Sequence, residues 1–148
     1  MNIEKVLVVC VGNICRSPMA EAILQDTLKG DSGITVSSAG VGALVGYPAD
    51  EHAVSLMKER GLDLSGHEAR QLTPQLVSEN DLILVLESGH KRVIDANEPA
   101  ARGKVYRLGE WQDQEIPDPY RKPRAAFEDA LALIEEGCKS WAEKIKSN

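Results

Sequence analysis

Val6-Leu7-Val8-Val9-Cys10-Val11-Gly12-Asn13-Ile14-Cys15-Arg16-Ser17-Pro18 is the stretch on which the reading of this chain turns. Its first four residues are apolar, as in a strand covered on both faces of a parallel sheet. Gly12 and Asn13 are residue types that tolerate left-handed backbone, so a loop follows the strand. Ser17 can cap a helix, Pro18 suits a first turn, and Glu21 falls early in the helix beyond. The stretch therefore reads as strand, curled loop and helix N-terminus.

The spacing inside the loop carries chemistry. Five residues separate Cys10 from Arg16. A loop of that length can curl until successive backbone N–H groups of Val11, Gly12, Asn13, Ile14, Cys15 and Arg16 face one small oxyanion. The helix N-terminus adds its partial positive charge at the same spot. Arg16 offers a planar fork for two phosphate oxygens. Cys10, at the floor, lies where this potential favours thiolate over thiol. The arrangement is an anion trap with a nucleophile at its base. The plainer alternative is a buried cysteine that ends a core strand, beside an arginine that serves another purpose.

The 148 residues suit a single domain over 1–148, long enough for a full core. Apolar content is 43%, and no window reaches the ~18 apolar residues of a membrane span, so no membrane insertion is expected. The N-terminal residues show no basic segment ahead of a long apolar stretch, which points to the cytoplasm. Three cysteines are too few for a disulfide framework, and a reducing compartment suits a working thiolate. His52, His67 and His90 are scattered away from the cysteines, so neither a metal site nor another cofactor is expected. A net charge of −6 without a broad basic stripe argues against nucleic acid. Arg121, Lys122 and Arg124 could form a local basic rim, or equally a solvated cluster opening a helix.

The patterning beyond the loop alternates helix and strand. Helices are predicted over 18–29, 49–60, 73–79, 89–97 and 124–146, and strands over 34–37, 81–86 and 105–108. The last helix is the clearest, with Phe127, Leu131, Ile134, Cys138, Trp141 and Ile145 at three- and four-residue steps. Cys138 lies on that stripe and reads as packing. The alternation predicts an α/β fold: a three-layer domain with a four-stranded parallel sheet, helices on both faces and right-handed crossovers. A flavodoxin-like order 2-1-3-4 puts the reversal beside the first strand, where Cys10 begins its loop.

Attack by Cys10 on phosphorus needs an acid for the departing oxygen and then a base for water. Asp118 is the candidate, in Ile116-Pro117-Asp118-Pro119-Tyr120, an irregular segment after the fourth strand. The flanking prolines restrict its backbone; an aspartate in an ordinary turn is the alternative. Leu44, Val45, Tyr47, Trp111 and Tyr120 are candidate walls of a cleft deep enough for a phenyl phosphate. Cys15 lies five residues after Cys10, within reach of a protective disulfide or simply packed under the loop.

Cys10 to Pro18 resembles the signature of the low-molecular-weight protein tyrosine phosphatases. The resemblance takes in Ser38-Ala39-Gly40, His67-Glu68-Ala69-Arg70-Gln71 and Asp118-Pro119-Tyr120, over nearly the whole chain. It is nearest to the bacterial branch associated with capsule and exopolysaccharide export. The resemblance implies the same fold and makes Asp118 the general acid. It implies that Asn13, Ser17, Ser38 and His67 hold the loop open and orient the nucleophile, with Arg70 making structural hydrogen bonds. From the residues alone, Ser38 and His67 are only polar groups in loops, whereas Ser17 could cap the helix or stabilise the thiolate. The implied substrate is a phosphotyrosine protein, specifically the tyrosine-rich tail of a bacterial autokinase, with inorganic phosphate as product and a monomer as catalyst. Leu44 stands where much of the family has an aromatic residue. Three rivals resemble parts of this pattern: thioredoxin-coupled arsenate reduction, which adds resolving cysteines; arginine phosphatases, which typically have threonine where Ile14 stands; and cysteine-phosphorylated sugar carriers, which need neither Arg16 nor Asp118.

Overall fold

In the computed structural model, which describes residues 2–30 and 33–146, the Val6–Val9 run occupies the middle of a parallel sheet. The strands are β1 (Lys5–Cys10), β2 (Thr35–Gly40), β3 (Leu82–Val85) and β4 (Val105–Arg107), in the order β2-β1-β3-β4. Val8 is paired with Ser38 on one side and Leu84 on the other. Val6, Leu7, Val8 and Val9 are all 0% exposed, as a strand with helices on both sides requires. The helices are α1 (Arg16–Thr27), α2 (Glu51–Glu59), α3 (Pro74–Glu79), α4 (Ser88–Asn97) and α5 (Arg124–Lys146). The two-residue period of β1 divides the core into two layers. Val6, Val8 and Cys10 join the cluster that includes the buried stripes of α1 and α5, while Leu7 and Val9 pack with Val77 of α3 and Ile94 of α4.

The chain crosses from one side of β1 to the other between β2 and β3, which makes the carboxyl end of β1 the topological switch point. Cys10 is the last residue of that strand.

Element boundaries depart from the sequence expectation where tertiary bonds override local signals. Helix α1 begins at Arg16 rather than 18, because Cys15 takes the N-cap position and no side chain caps it. Strand β2 continues through Ser38, Ala39 and Gly40, because each is paired with β1, up to Cys10 opposite Gly40. Helix α2 starts at Glu51, where the Asp50 carboxylate accepts from the His52 amide at 2.9 Å. The α5 stripe is buried at all six predicted positions, with the Cys138 thiol fully enclosed beside the Ala20 carbonyl. Trp141 donates its indole N–H to the Arg107 carbonyl at 2.9 Å, occupying an acceptor on the edge strand β4. Among the described residues, no helix is long and apolar enough to cross a membrane.

Candidate active site

Five successive backbone carbonyls of the loop after β1 point outward to partners. Those of Cys10, Val11 and Gly12 accept from the amides of Val41, Gly42 and Leu44 at 3.0, 3.0 and 3.1 Å. The Asn13 carbonyl lies 2.7 Å from His67 Nε2, and the Ile14 carbonyl accepts from the Asp50 amide at 2.8 Å. In a planar trans peptide the N–H points opposite to the C=O. Five carbonyls turned outward therefore turn the amides of Val11, Gly12, Asn13, Ile14 and Cys15 inward. Among the described residues, none of these five amides has an acceptor. Buried N–H groups without partners are rare, and a ring of them selects an oxyanion. The uncapped N-terminus of α1 opens onto the same concavity.

Asn13 takes φ = 61°, the left-handed conformation read from its residue type. Its side chain is fully buried and ties the loop to three other segments. Nδ2 donates to Ser17 Oγ at 2.8 Å and to Ser38 Oγ at 3.0 Å, while Oδ1 accepts from the Arg70 amide at 2.9 Å. Ser38 in turn donates to Glu21 Oε1 at 2.6 Å, and Arg70 Nε donates to the Ser38 carbonyl at 2.8 Å. Ser17 Oγ, which accepts from Asn13, is also hydrogen-bonded to Cys10 Sγ, 2.9 Å away. Of the two roles open to Ser17, the structure rules out the helix cap: the residue lies inside the first turn, facing the sulfur.

Gly40 sits where the loop crosses β2. A Cβ there would lie 2.3 Å from the Val11 carbonyl oxygen and 3.1 Å from the Asn13 nitrogen, both backbone atoms that cannot rotate away. Overpacking of this kind costs about 1–3 kcal/mol or more. Gly40→Ala is expected to lower the melting temperature and to weaken competitive inhibition by inorganic phosphate. An unchanged phosphate inhibition constant would show that the loop does not depend on this approach.

Arg16 is 1% exposed, so its charge needs compensation within the protein. One terminal nitrogen donates to the Ile116 carbonyl at 2.7 Å and lies 3.4 Å from Glu87 Oε1, and the other lies 3.7 Å from Asp118 Oδ2. His90 stands behind Glu87, with Nε2 3.2 Å from Oε2. Burial, and then the Arg16 charge, hold the His90 pKa below the ordinary imidazole value. Asp118 reaches the pocket from the segment after β4, its carboxyl 42% exposed and accepting from the Tyr120 amide at 3.1 Å.

Cys10, Arg16 and Asp118 thus line one pocket of about 170 Å³, together with Val11, Gly12, Ile14, Cys15, Gly42, Leu44 and Tyr120. Burial first, and then the charge of Asp50, push the Cys15 thiol far above its ordinary range, so it remains protonated. Leu44 and Tyr120 wall the pocket as expected. Tyr47 and Val45 do not line it and are exposed on the neighbouring loop. Trp111 is not a wall either: its ring packs against Trp141, 5.4 Å between centroids, because the short turn at Glu110–Gln112 directs it toward α5. The expected basic rim is divided. Arg124 is bound to Glu59 and Glu128, and Arg121 lies over the Tyr120 ring at 5.2 Å. Glu21, Glu87 and the Ile116 carbonyl were not legible in the sequence, since nothing local marks a residue whose partner arrives from another element.

The fold and the pocket together define a class: α/β enzymes that bind a phosphoryl group on an amide-lined loop with a cysteine at its base. The family model for low molecular weight phosphotyrosine protein phosphatase matches residues 5–148, and the chain belongs to that family. EpsP of Ralstonia solanacearum, named as a probable low molecular weight protein-tyrosine-phosphatase, is 52% identical over 145 residues, covering 98% of both chains. The structure of Vibrio vulnificus Wzb in complex with benzylphosphonate superposes with a TM-score of 0.91 at 45% identity, covering 97% of this chain and 99% of that one. The tyrosine phosphatase Wzb from Escherichia coli K30, solved with sulphate, gives 0.90 at 44% identity over the same shares. The chain is accordingly a protein-tyrosine-phosphatase, a phosphoric monoester hydrolase.

Proposed function

We propose that the enzyme works through a cysteinyl-phosphate. The observation that carries this reading is the placement of Cys10 Sγ at the base of the amide-lined pocket, with Arg16 and Asp118 at its rim. In the first step the Cys10 thiolate attacks phosphorus, the bond to the tyrosyl oxygen breaks, and Asp118 gives its proton to the leaving phenolate. In the second, the Asp118 carboxylate takes a proton from water, which attacks phosphorus and breaks the S–P bond. Inorganic phosphate leaves and the thiolate is restored. The five inward amides and the Arg16 fork meet the negative charge of the transferring group in both steps. Ser17 supports the thiolate as a leaving group by hydrogen bonding to sulfur. Glu87 and the Ile116 carbonyl hold the fork in place. No step calls for a metal or organic cofactor.

The physiological substrate is taken to be the phosphotyrosine-bearing tail of a bacterial tyrosine autokinase in polysaccharide synthesis or export. Likeness to EpsP and to the Wzb proteins supports this by analogy. A cytoplasmic setting and a monomeric catalyst fit that role and a thiolate that must stay reduced. The reading is tested by phosphate release from matched phosphotyrosine, phosphoserine and phosphoarginine peptides. Release from phosphotyrosine alone is the expected outcome, since Leu44 and Tyr120 give the pocket an aliphatic and an aromatic wall for a phenyl ring. Preferential release from phosphoarginine would overturn the substrate assignment, and a stable phosphoenzyme without release would make the protein a carrier.

A further inference from the structure

Asp118 has little packing of its own. Its carboxyl is 42% exposed, with the Tyr120 amide at 3.1 Å and Arg16 at 3.7 Å. Its place over the pocket is inherited from the chain that leads to it, residues 108–117. That segment folds back on itself. Gly109 accepts from the amides of Gln112 and Gln114 at 3.2 and 3.0 Å, and Asp113 takes φ = 50°. A Cβ on Gly109 would lie 2.2 Å from the Gln114 carbonyl oxygen. Aspartate tolerates left-handed backbone, so the turn needs a further determination from its surroundings to keep one register.

Arg107, the last residue of β4, provides that determination. Its guanidinium lies 3.7 Å from Glu110, 2.8 Å from Asp113 and 3.3 Å from Glu115, three carboxylates of the one segment. An isolated exposed pair contributes little, but one planar fork shared by three carboxylates fixes their relative positions. The clip is anchored at both ends. The Arg107 carbonyl accepts the Trp141 indole N–H from the core helix α5. Glu115 uses its second oxygen to accept from Ser88 N at 2.8 Å and Ser88 Oγ at 2.6 Å, at the first residue of α4. The next residue, Ile116, donates its amide to the Leu86 carbonyl at 3.0 Å and accepts from Arg16 at 2.7 Å. Two residues later comes Asp118.

We infer that Arg107 is a positioning residue for proton transfer: by gathering Glu110, Asp113 and Glu115 it sets the register in which Asp118 meets the leaving oxygen. The inference rests on the acid role proposed for Asp118 and extends it to a side chain that lines no part of the pocket.

The test is the dependence of kcat/KM on the leaving group, across aryl phosphates from dinitrophenyl phosphate to phenyl phosphate. A good leaving group needs no proton, whereas a poor one does. If general acid catalysis supplies about 10²–10⁴-fold, partial misplacement in Arg107→Gln should cost about tenfold with phenyl phosphate and little with dinitrophenyl phosphate. Arg107→Lys, a point charge without the fork, should fall between wild type and Arg107→Gln. Asp113→Asn removes one exposed partner, keeps a residue type that tolerates positive φ, and should steepen the dependence about two- to threefold. Inhibition by inorganic phosphate should be unchanged in all three. Equal losses across the series, or none, would overturn the inference. Asp118→Asn run alongside separates the two readings: if that variant shows no steepening, the acid assignment fails; if it alone steepens, only the role of Arg107 fails.

Discussion

Cys10→Ser is expected to bind inorganic phosphate and release none from a phosphotyrosine peptide. The five inward amides and the Arg16 fork belong to the backbone and to a different side chain, so the anion site survives the exchange. What disappears is the nucleophile. A serine hydroxyl in this position has no adjacent base: its neighbour is another hydroxyl, that of Ser17, already receiving a hydrogen bond from Asn13. Without a group to take its proton, serine at ordinary pH cannot form the covalent intermediate. Binding is read by calorimetric titration with phosphate, and turnover by phosphate release. Turnover near the wild-type rate would mean that water attacks the bound phosphoryl group directly, and the covalent reading would fall.

Asp118→Asn should have the next largest effect, with a loss of about 10²–10⁴-fold for phosphotyrosine, the range typical of a positioned acid or base. The amide keeps the shape of the carboxyl and its acceptor oxygen for the Tyr120 N–H, so the segment holds its path. It can neither give up a proton to the tyrosyl oxygen nor take one from water. Both steps therefore suffer, but unequally. With dinitrophenyl phosphate the first step should run at nearly the wild-type rate and the intermediate should accumulate, visible as a burst of the phenol followed by slow turnover. A single slow phase for good and poor leaving groups alike would remove Asp118 from the mechanism. Removal of the carboxylate also leaves Arg16 with Glu87 as its remaining carboxylate neighbour, so phosphate binding should tighten if it changes at all.

Local pattern carried a large share of this reading. The apolar run of β1, the loop that follows it and the six-position α5 stripe are properties of neighbouring residues and were realised as expected, although of Gly12 and Asn13 only Asn13 takes left-handed backbone. The alternation of strands and helices predicted a parallel sheet covered on both faces, and the position of the Cys10 loop with the family resemblance pointed to the order the structure has. Family resemblance, rather than spacing, brought Ser38 and His67 into the site and settled the choice of Asp118, which position had already made the candidate. The structure supplies their physical reasons: Ser38 passes the Asn13 network to Glu21, and His67 turns one of the five carbonyls outward. The misplaced residues fail for one cause. Tyr47 and Trp111 are aromatic residues in glycine- or proline-rich segments, and side-chain type does not say which way a loop faces. Trp111 is claimed by Trp141, thirty positions away.

By itself the sequence determined the kind of chemistry, because strand, loop, nucleophile and fork lie within thirteen consecutive residues, where bond geometry restricts what they can build. The tertiary structure alone decided which groups complete the site. The amides that hold the loop come from residues 41–50, the ballast for Arg16 from Glu87 and Ile116, and the brace of the acid segment from Arg107. A hydrogen bond or ion pair depends on distance in space, and residues a hundred positions apart, such as Arg16 and Ile116, are brought to 2.7 Å only when the sheet that separates them in sequence has formed.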